Sequence, residues 1–229
     1  MNPQLILSIF GGLADLTGLS LARRKIAQAV RRVRPQYSIQ IVGPPGAGKT
    51  TLFQYLRQEP LSQEPTRTGS ERRAGIIAAD LLGSTTYFAL STVTDEPVGE
   101  PPPRTWWQKR HNPHGLILLI DTQQPEAERA YFQELYERYR AFSSQTQPVN
   151  LRVLLILLNK SDLWGGTAEA REAKINQYRR GRFQDVVDRF RSSFGVTVQW
   201  GTASLTQPEH APFNNVILTE FLMAVARKG

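Results

Sequence analysis

The chain has 229 residues and no cysteine, with 40% hydrophobic and 21% charged residues and a net charge of +8. This composition fits one globular domain of about 150–200 residues plus an extension, and it excludes collagen-like, coiled-coil and wholly disordered chains. The lack of cysteine excludes disulfide scaffolds, thiolate metal sites and cysteine nucleophiles.

The positive charge is concentrated near the N-terminus. Residues 1–40 carry six basic side chains against one acidic side chain, which leaves 22 basic and 19 acidic residues beyond position 40. The body of the chain is therefore close to charge balance. A nucleic-acid partner is not expected, because a nucleic-acid-binding domain usually carries a continuous basic surface, and the body of this chain does not have the excess of basic residues for one.

Residues 1–34 are predicted to form an amphipathic helical extension that Pro35 ends. The apolar run Leu5–Ala22 contains three glycines and Asp15, and a basic stretch of helical pattern follows it. Three interpretations stay open: a helix lying in a membrane interface, a helix docked on this protein or on a partner protein, and a membrane anchor. We expect a cytoplasmic location, either free or peripheral on the cytoplasmic face of a membrane.

Residues 35–229 alternate between apolar strands and amphipathic helices. Two of the strands are joined by the turn-forming segment 80–84, which predicts a hairpin and one antiparallel edge strand. The continuous apolar strands predict a mostly parallel six-stranded sheet covered on both faces, which is an α/β fold of three αβα layers. The predicted strands are Tyr37–Val42, Arg72–Ala79, Thr86–Thr94, Gly115–Ile120, Leu151–Leu158 and Val196–Trp200, and the predicted helices are Thr50–Gln58, Glu126–Phe142, Ala168–Phe194 and Phe213–Arg227.

A glycine-rich motif lies between the first strand and the first helix and matches G-x-x-x-x-G-K-[ST]. Backbone N–H groups in such a loop point inward and cradle phosphates, and the following helix N-terminus adds positive potential. The lysine supplies a charge for the β- and γ-phosphates, and the threonine hydroxyl is a hard oxygen ligand for Mg²⁺. The predicted phosphate-binding residues are Gly43, Pro44, Pro45, Gly46, Ala47, Gly48, Lys49, Thr50 and Thr51.

A second motif, Asn159-Lys160-Ser161-Asp162, directly follows the apolar strand 151–158. The Asp162 carboxylate can accept hydrogen bonds from N1–H and N2–H₂ of guanine, and adenine lacks both donors in that geometry. Asn159 can tie this loop to the phosphate loop, and the aliphatic stem of Lys160 can cover the base plane. Leu163, the next residue, belongs to the same predicted binding set.

A third segment, Gly201-Thr202-Ala203-Ser204, follows the last strand. The pattern is short, and its position directly after that strand is what makes it a candidate for the binding site. We expect a backbone N–H near Ala203 to meet O6 of the base, with Thr202 and Ser204 in the binding set.

Together, GPPGAGKTTLF, NKSD and GTAS make residues 37–228 resemble the Ras-like small GTPases of the P-loop NTPase superfamily. The chain is most similar to the Arf-like group and to the β subunit of the signal-recognition-particle receptor. The resemblance implies GTP and GDP binding with Mg²⁺, and two switch loops that report the γ-phosphate to a protein effector or regulator.

The resemblance further implies that a threonine of the first switch loop binds Mg²⁺. Thr66 and Thr68 both lie in the expected loop, and we favour Thr68 because a glycine follows it, as in the family pattern. Arg67 lies between them, and it is either an arginine finger in cis or a solvated loop arginine.

The family motif D-x-x-G of the second switch has two candidates here. Asp80 matches literally, but it falls in the predicted hairpin, away from the phosphates. Asp95 follows a strand and precedes Asp121 by 26 residues, so we favour Asp95 as the metal-linked residue. Glu100 then takes the place of the usual water-orienting glutamine, and the proline run 101–103 limits helix formation.

These observations predict a guanine-nucleotide-binding molecular switch with weak intrinsic GTP hydrolysis. The candidate catalytic residues are Lys49, Arg67 and Glu100. Two alternatives stay open: a catalytically inert scaffold that uses bound nucleotide structurally, and a P-loop enzyme that uses ATP.

Overall fold

A computed structural model describes residues 35–61, 74–81, 83–92, 112–122, 125–145, 149–164 and 167–227. The predicted extension 1–34 lies outside these residues. Within them, no helix combines the length and the apolar character that a membrane span requires. The elements are β1 (Tyr37–Val42), α1 (Lys49–Leu56), β2 (Ala74–Leu81), β3 (Ser84–Thr92), β4 (Gly115–Asp121), α2 (Pro125–Gln145), β5 (Val153–Asn159), α3 (Ala168–Gln177), a π turn (Tyr178–Arg182), α4 (Gln184–Phe194), β6 (Thr197–Thr202) and α5 (Ala211–Arg227).

Six strands form one sheet in the order β2-β3-β1-β4-β5-β6. Neighbouring strands are parallel except β2 and β3, so the antiparallel strand lies at one edge. Every residue of β4 and β5 is buried, as expected for central strands with helices on both faces. The predicted fold class, a three-layer P-loop α/β fold with one antiparallel edge strand, is confirmed for the described residues.

Two hydrophobic clusters cover the two faces of the sheet. On one face, Phe53 of α1 and Phe221 of α5 pack against the central strands. On the other face, Phe132 of α2 and Phe190 of α4 stack with ring centroids 5.3 Å apart. Strands β1, β3, β4, β5 and β6 run in parallel, so their carboxyl ends lie together along one side of the sheet. We call this side the carboxyl edge, and within the described residues neither helical layer covers it.

The hairpin between β2 and β3 is tighter than the sequence predicted. Asp80 and Leu81 were placed in the turn, but they pair with Thr85 and Ser84 in the antiparallel ladder. The turn therefore falls between Leu81 and Ser84, and Gly83 adopts φ 85° there. A tight turn of this kind needs the left-handed backbone that glycine adopts without steric cost.

The single helix predicted for 168–194 is wrong, because a π turn divides it into α3 and α4. The Phe183 N–H donates to the carbonyl of Tyr178, five residues earlier, at 3.4 Å. This spacing brings the two rings into a stack with centroids 6.0 Å apart, and Trp164 stacks on the other side of Tyr178. In a regular α-helix, residues five apart would point in different directions, so aromatic packing overrides the helical pattern here.

Candidate functional site

The glycine-rich motif, residues 43–50, forms a loop between β1 and the start of α1, which we call the phosphate loop after its predicted ligand. Gly48 adopts φ 97°, a conformation that side chains other than glycine rarely take. A Cβ atom on Gly48 would stand 2.6 Å from Nδ2 of Asn159. Glycine is therefore required at this position both for the backbone conformation and for the close approach of the second motif.

Lys49 lies inside this loop and is 7% exposed. Its ammonium group donates to the carbonyl oxygens of Gly43 at 2.8 Å and of Pro44 at 3.0 Å. The side chain thus curls back over its own loop, and the positive charge is held beside the backbone that the sequence predicted as a phosphate cradle. Thr50 and Thr51 follow in the first turn of α1, both half-buried.

The second motif begins at the last residue of β5 and reaches the phosphate loop directly. Asn159 is 5% exposed, and its Nδ2 donates to the Ala47 carbonyl at 2.9 Å. Thr122 donates to the Asn159 carbonyl at 3.2 Å from the end of the neighbouring strand. The predicted tie between the two loops is therefore present as a buried hydrogen bond across 112 residues of sequence.

Lys160 adopts φ 59°, which turns the chain sharply after Asn159. The Lys160 ammonium forms an ion pair with Oδ2 of Asp121 at 2.5 Å. Asp121 lies opposite Asn159 in the ladder between β4 and β5, so adjacent strand ends hold both sides of the turn. This ion pair holds the Lys160 side chain toward the end of β4.

Asp162 is half-buried in a short 3₁₀ turn, and it is oriented by a neighbouring loop. The Ser204 hydroxyl donates to Oδ1 of Asp162 at 2.6 Å. Ser204 is itself fixed by Asn214 of α5, which accepts from its N–H at 3.3 Å and donates to its carbonyl at 3.1 Å. The Leu163 side chain, next to Asp162, is 61% exposed.

The third segment is bonded to the end of β5. A backbone N–H near Ala203 is predicted to meet O6 of the base, and the Ala203 N–H itself donates to the Leu158 carbonyl at 2.8 Å. The Ala203 carbonyl accepts from both the N–H and the hydroxyl of Ser161, at 3.2 and 3.1 Å. The parallel register of β5 and β6 continues one residue beyond Thr202, and this extension engages the Ala203 N–H.

The switch-loop candidates Thr66, Arg67, Thr68, Asp95 and Glu100 lie outside the described residues. The literal D-x-x-G aspartate, Asp80, is described. It accepts a hydrogen bond from Thr85 at 2.6 Å beside the β2–β3 turn. Because β3 runs parallel to β1, this turn lies at the sheet edge opposite the phosphate loop.

Sequence reasoning missed two residues that contact the two loops and a third that lies within electrostatic range of Lys160. Asp121 pairs with Lys160, and the Tyr131 hydroxyl accepts the N–H of Gly43 at 3.2 Å. Glu128 lies one helical turn before Tyr131 and is 1% exposed. Its position three residues before Tyr131 places both on the same face of α2. A carboxylate on that otherwise apolar face was the signal available in the sequence.

No protein-family model matches the chain, and no curated protein matches its sequence. Among solved structures, the chain is similar to an ADP-ribosylation factor-like GTP-binding protein, also described as the small COPII coat GTPase SAR1, from Encephalitozoon cuniculi in complex with GDP. The identity is 19%, the TM-score is 0.49, and 90% of each chain is covered. The sheet order of this chain, and the glycine-rich loop between β1 and α1, themselves show the α/β fold.

Proposed function

We propose that the chain is a guanine-nucleotide-binding switch of the small GTPase type, with the site at the carboxyl edge of its sheet. The observation that carries the proposal is the buried hydrogen bond from Asn159 to Ala47, which joins a phosphate-binding loop to a loop carrying an oriented aspartate. Helix N-termini and glycine-rich loops favour phosphate groups, and a fixed carboxylate favours a base with two adjacent donors.

In the proposed complex, each loop recognises a different part of the nucleotide. Lys49 would exchange its carbonyl partners for phosphate oxygens, which offer a stronger, charge-assisted hydrogen bond. Asp162 would accept from N1–H and N2–H₂ of guanine, with Ser204 holding its other oxygen. Selectivity for guanine follows, because adenine would leave the carboxylate without donors.

Magnesium fits the described part of the site through Thr50, at the first turn of α1. Mg²⁺ usually takes one or two protein oxygens together with phosphate oxygens and water, and the ion supplies charge neutralisation at the β- and γ-phosphates. The Thr50 hydroxyl is an oxygen donor of the right kind. Thr68 with Thr66 as its alternative, and Asp95, are the further ligands that we propose on sequence grounds.

Slow hydrolysis of GTP is part of the proposal. It is supported by the sequence feature Glu100 and the prolines that follow, with Lys49 and Arg67 as the charged groups beside the transferred phosphate. Residues 35–229 would form the nucleotide-binding domain. Its switch loops would contact an effector or regulator, while residues 1–34 would contact a membrane surface or a partner protein.

The proposal is tested with a substitution that should change the preferred base from guanine to xanthine. The substitution Asp162→Asn replaces one acceptor oxygen with an N–H₂ donor, which matches the C2 carbonyl of xanthine in place of the amino group of guanine. We expect affinity for GDP to fall by about 10- to 150-fold and affinity for XDP to rise, since one lost charge-assisted hydrogen bond is worth about 1.5–3 kcal/mol. Calorimetric titration with Mg²⁺ measures both.

The matched control is Asp188→Asn, an exposed aspartate on α4 that bonds Gln184 on its own helix. It should bind GDP and XDP as the unchanged protein does. If Asp162→Asn leaves the ratio of GDP to XDP affinity unchanged, Asp162 does not read the base, and the proposed function fails at its most specific residue.

A further inference from the structure

Glu128 is a buried carboxyl group without a visible partner. It lies on α2 and is 1% exposed, and neither of its oxygens has a hydrogen bond of acceptable geometry within the described part of the chain. A charged carboxylate in such a position would lose its hydration without compensation, which is among the largest electrostatic costs in a protein interior. The carboxyl group must therefore either carry a proton or find a counter-charge.

The charged and titratable groups that face Glu128 come from three other elements. They are Asp121 at the end of β4, Lys160 after β5, and Arg182 with Tyr178 in the π turn. Burial, followed by the negative charge of Asp121, raises the pKa of Glu128 to about 9, while the backbone N–H of Asp121 and the charges of Lys160 and Arg182 act in the opposite direction. At neutral pH the carboxyl group therefore keeps its proton.

The state of this proton matters for the ion pair beside it. Lys160 binds Asp121 at 2.5 Å, and the pair holds the left-handed turn between Asn159 and Asp162. If Glu128 were ionised, its carboxylate would repel that of Asp121 and would compete with it for the Lys160 ammonium group. An uncharged Glu128 leaves Asp121 as the anionic partner of Lys160.

We propose that Glu128 is a positioning residue for the loop 159–162, and that by remaining uncharged it keeps Lys160 paired with Asp121. The electrostatic part of this proposal concerns the protein alone. The effect on nucleotide binding rests on the proposed function, so the two are tested separately.

The first experiment measures unfolding by urea from pH 5 to pH 8 in the full chain without added nucleotide, comparing the unchanged protein with Glu128→Gln. Between the unfolded pKa of about 4.5 and the folded pKa of about 9, the folded state holds one proton that the unfolded state releases. Stability associated with Glu128 is therefore fully present below pH 4.5 and decreases as the pH rises toward 9. The ratio of the two unfolding constants should change in favour of the glutamine variant by about tenfold per pH unit.

The matched control is Glu137→Gln, an exposed glutamate on the same helix. Its unfolding constant should keep a constant ratio to that of the unchanged protein over the same range. Parallel pH profiles for Glu128→Gln and the unchanged protein would overturn the proposal, because they would mean that Glu128 is ionised in both states.

A second measurement does not depend on any variant folding. In the full chain labelled with ¹³C at glutamate side-chain carboxyls, one resonance should keep the shift of a protonated carboxyl at pH 7 and change only as the pH approaches about 9. If every glutamate resonance titrates near pH 4–5, no glutamate is held uncharged and the proposal is refuted.

The third measurement addresses the loop. With Mg²⁺, GDP affinity of the unchanged protein should be constant from pH 7 to pH 8 and fall by at least about threefold by pH 10, beyond the loss seen in Glu128→Gln. Equal losses would remove the positioning role, while the unfolding and ¹³C results could still show the buried proton. If neither protein binds GDP at any pH, the proposed function has failed, and the positioning role in nucleotide binding fails with it.

Discussion

The phosphate loop, residues 43–50, and the base loop, residues 159–162, differ in what holds them in place. The phosphate loop is built mainly from its own backbone, with Lys49 donating to Gly43 and Pro44 a few residues away. The base loop is held by side chains from distant parts of the chain, Asp121 and Ser204. The hydrogen bond from Asn159 to Ala47 joins the two. The phosphate loop is thus stabilised by contacts within its own motif, while the base loop depends on contacts that the sheet brings together.

This difference implies that a change at the Asn159–Ala47 hydrogen bond affects both loops. A change at a side chain that supports one loop should affect either the base preference or the phosphate affinity. Supports of the base loop should alter base preference. Supports of the phosphate loop should alter binding of every nucleotide to the same extent. Three substitutions separate these effects.

The largest effect is expected for Gly48→Ala. The added Cβ would meet Nδ2 of Asn159 at 2.6 Å, and φ 97° is unfavourable for alanine by about 1–2 kcal/mol. Loss of the Asn159 bond adds about 1–3 kcal/mol, so GDP affinity should fall at least 30-fold in a titration. The control is Gly83→Ala, which has a similar φ of 85° but open space around the added Cβ. It should bind GDP normally, and normal binding by Gly48→Ala would contradict the account of the junction.

An intermediate effect, restricted to the base, is expected for Ser204→Ala. The substitution removes the 2.6 Å hydrogen bond that orients Asp162, which is worth about 0.5–1.5 kcal/mol. GDP affinity should fall about two- to tenfold, while ADP affinity stays the same. Ser192→Ala, which changes an exposed serine on α4, serves as the control. Equal losses for GDP and ADP would show that Ser204 supports the site as a whole.

The smallest effect is expected for Tyr131→Phe, which removes the hydroxyl that accepts the Gly43 N–H at 3.2 Å. A backbone hydrogen bond of this kind contributes about 0.5–1 kcal/mol, so affinities for GDP and ADP should both fall about two- to fivefold. Tyr136→Phe, on the same helix but bonded to Ser193, is the control. A change in the GDP-to-ADP ratio would contradict the division of labour between the two loops.

The sequence predicted the fold because local pattern and global architecture agree in most of the chain. Fully apolar strands, a glycine-rich loop and amphipathic helices each indicate one structure only. The exception is 168–194, where stacking of Tyr178 on Phe183 introduces a π turn. The pattern of polar and apolar residues does not predict this π turn, because the turn accompanies packing between specific side chains.

The sequence predicted those parts of the candidate site that belong to short motifs. Asn159 and Asp162 follow from a pattern at a strand end, and the tie to the phosphate loop is present. The supports Asp121 and Tyr131 follow from strand register and helix orientation, which the pattern does not contain. The register of β5 and β6 engages the Ala203 N–H, and the motif does not contain this register either.

The most direct test of the central claim is a calorimetric titration of the unchanged, nucleotide-stripped protein with GDP and with ADP in the presence of Mg²⁺. The account predicts that GDP binds at least about 100-fold more tightly than ADP, because adenine leaves the Asp162 carboxylate without donors. Equal affinities, tighter binding of ADP, or no binding of either nucleotide would contradict it.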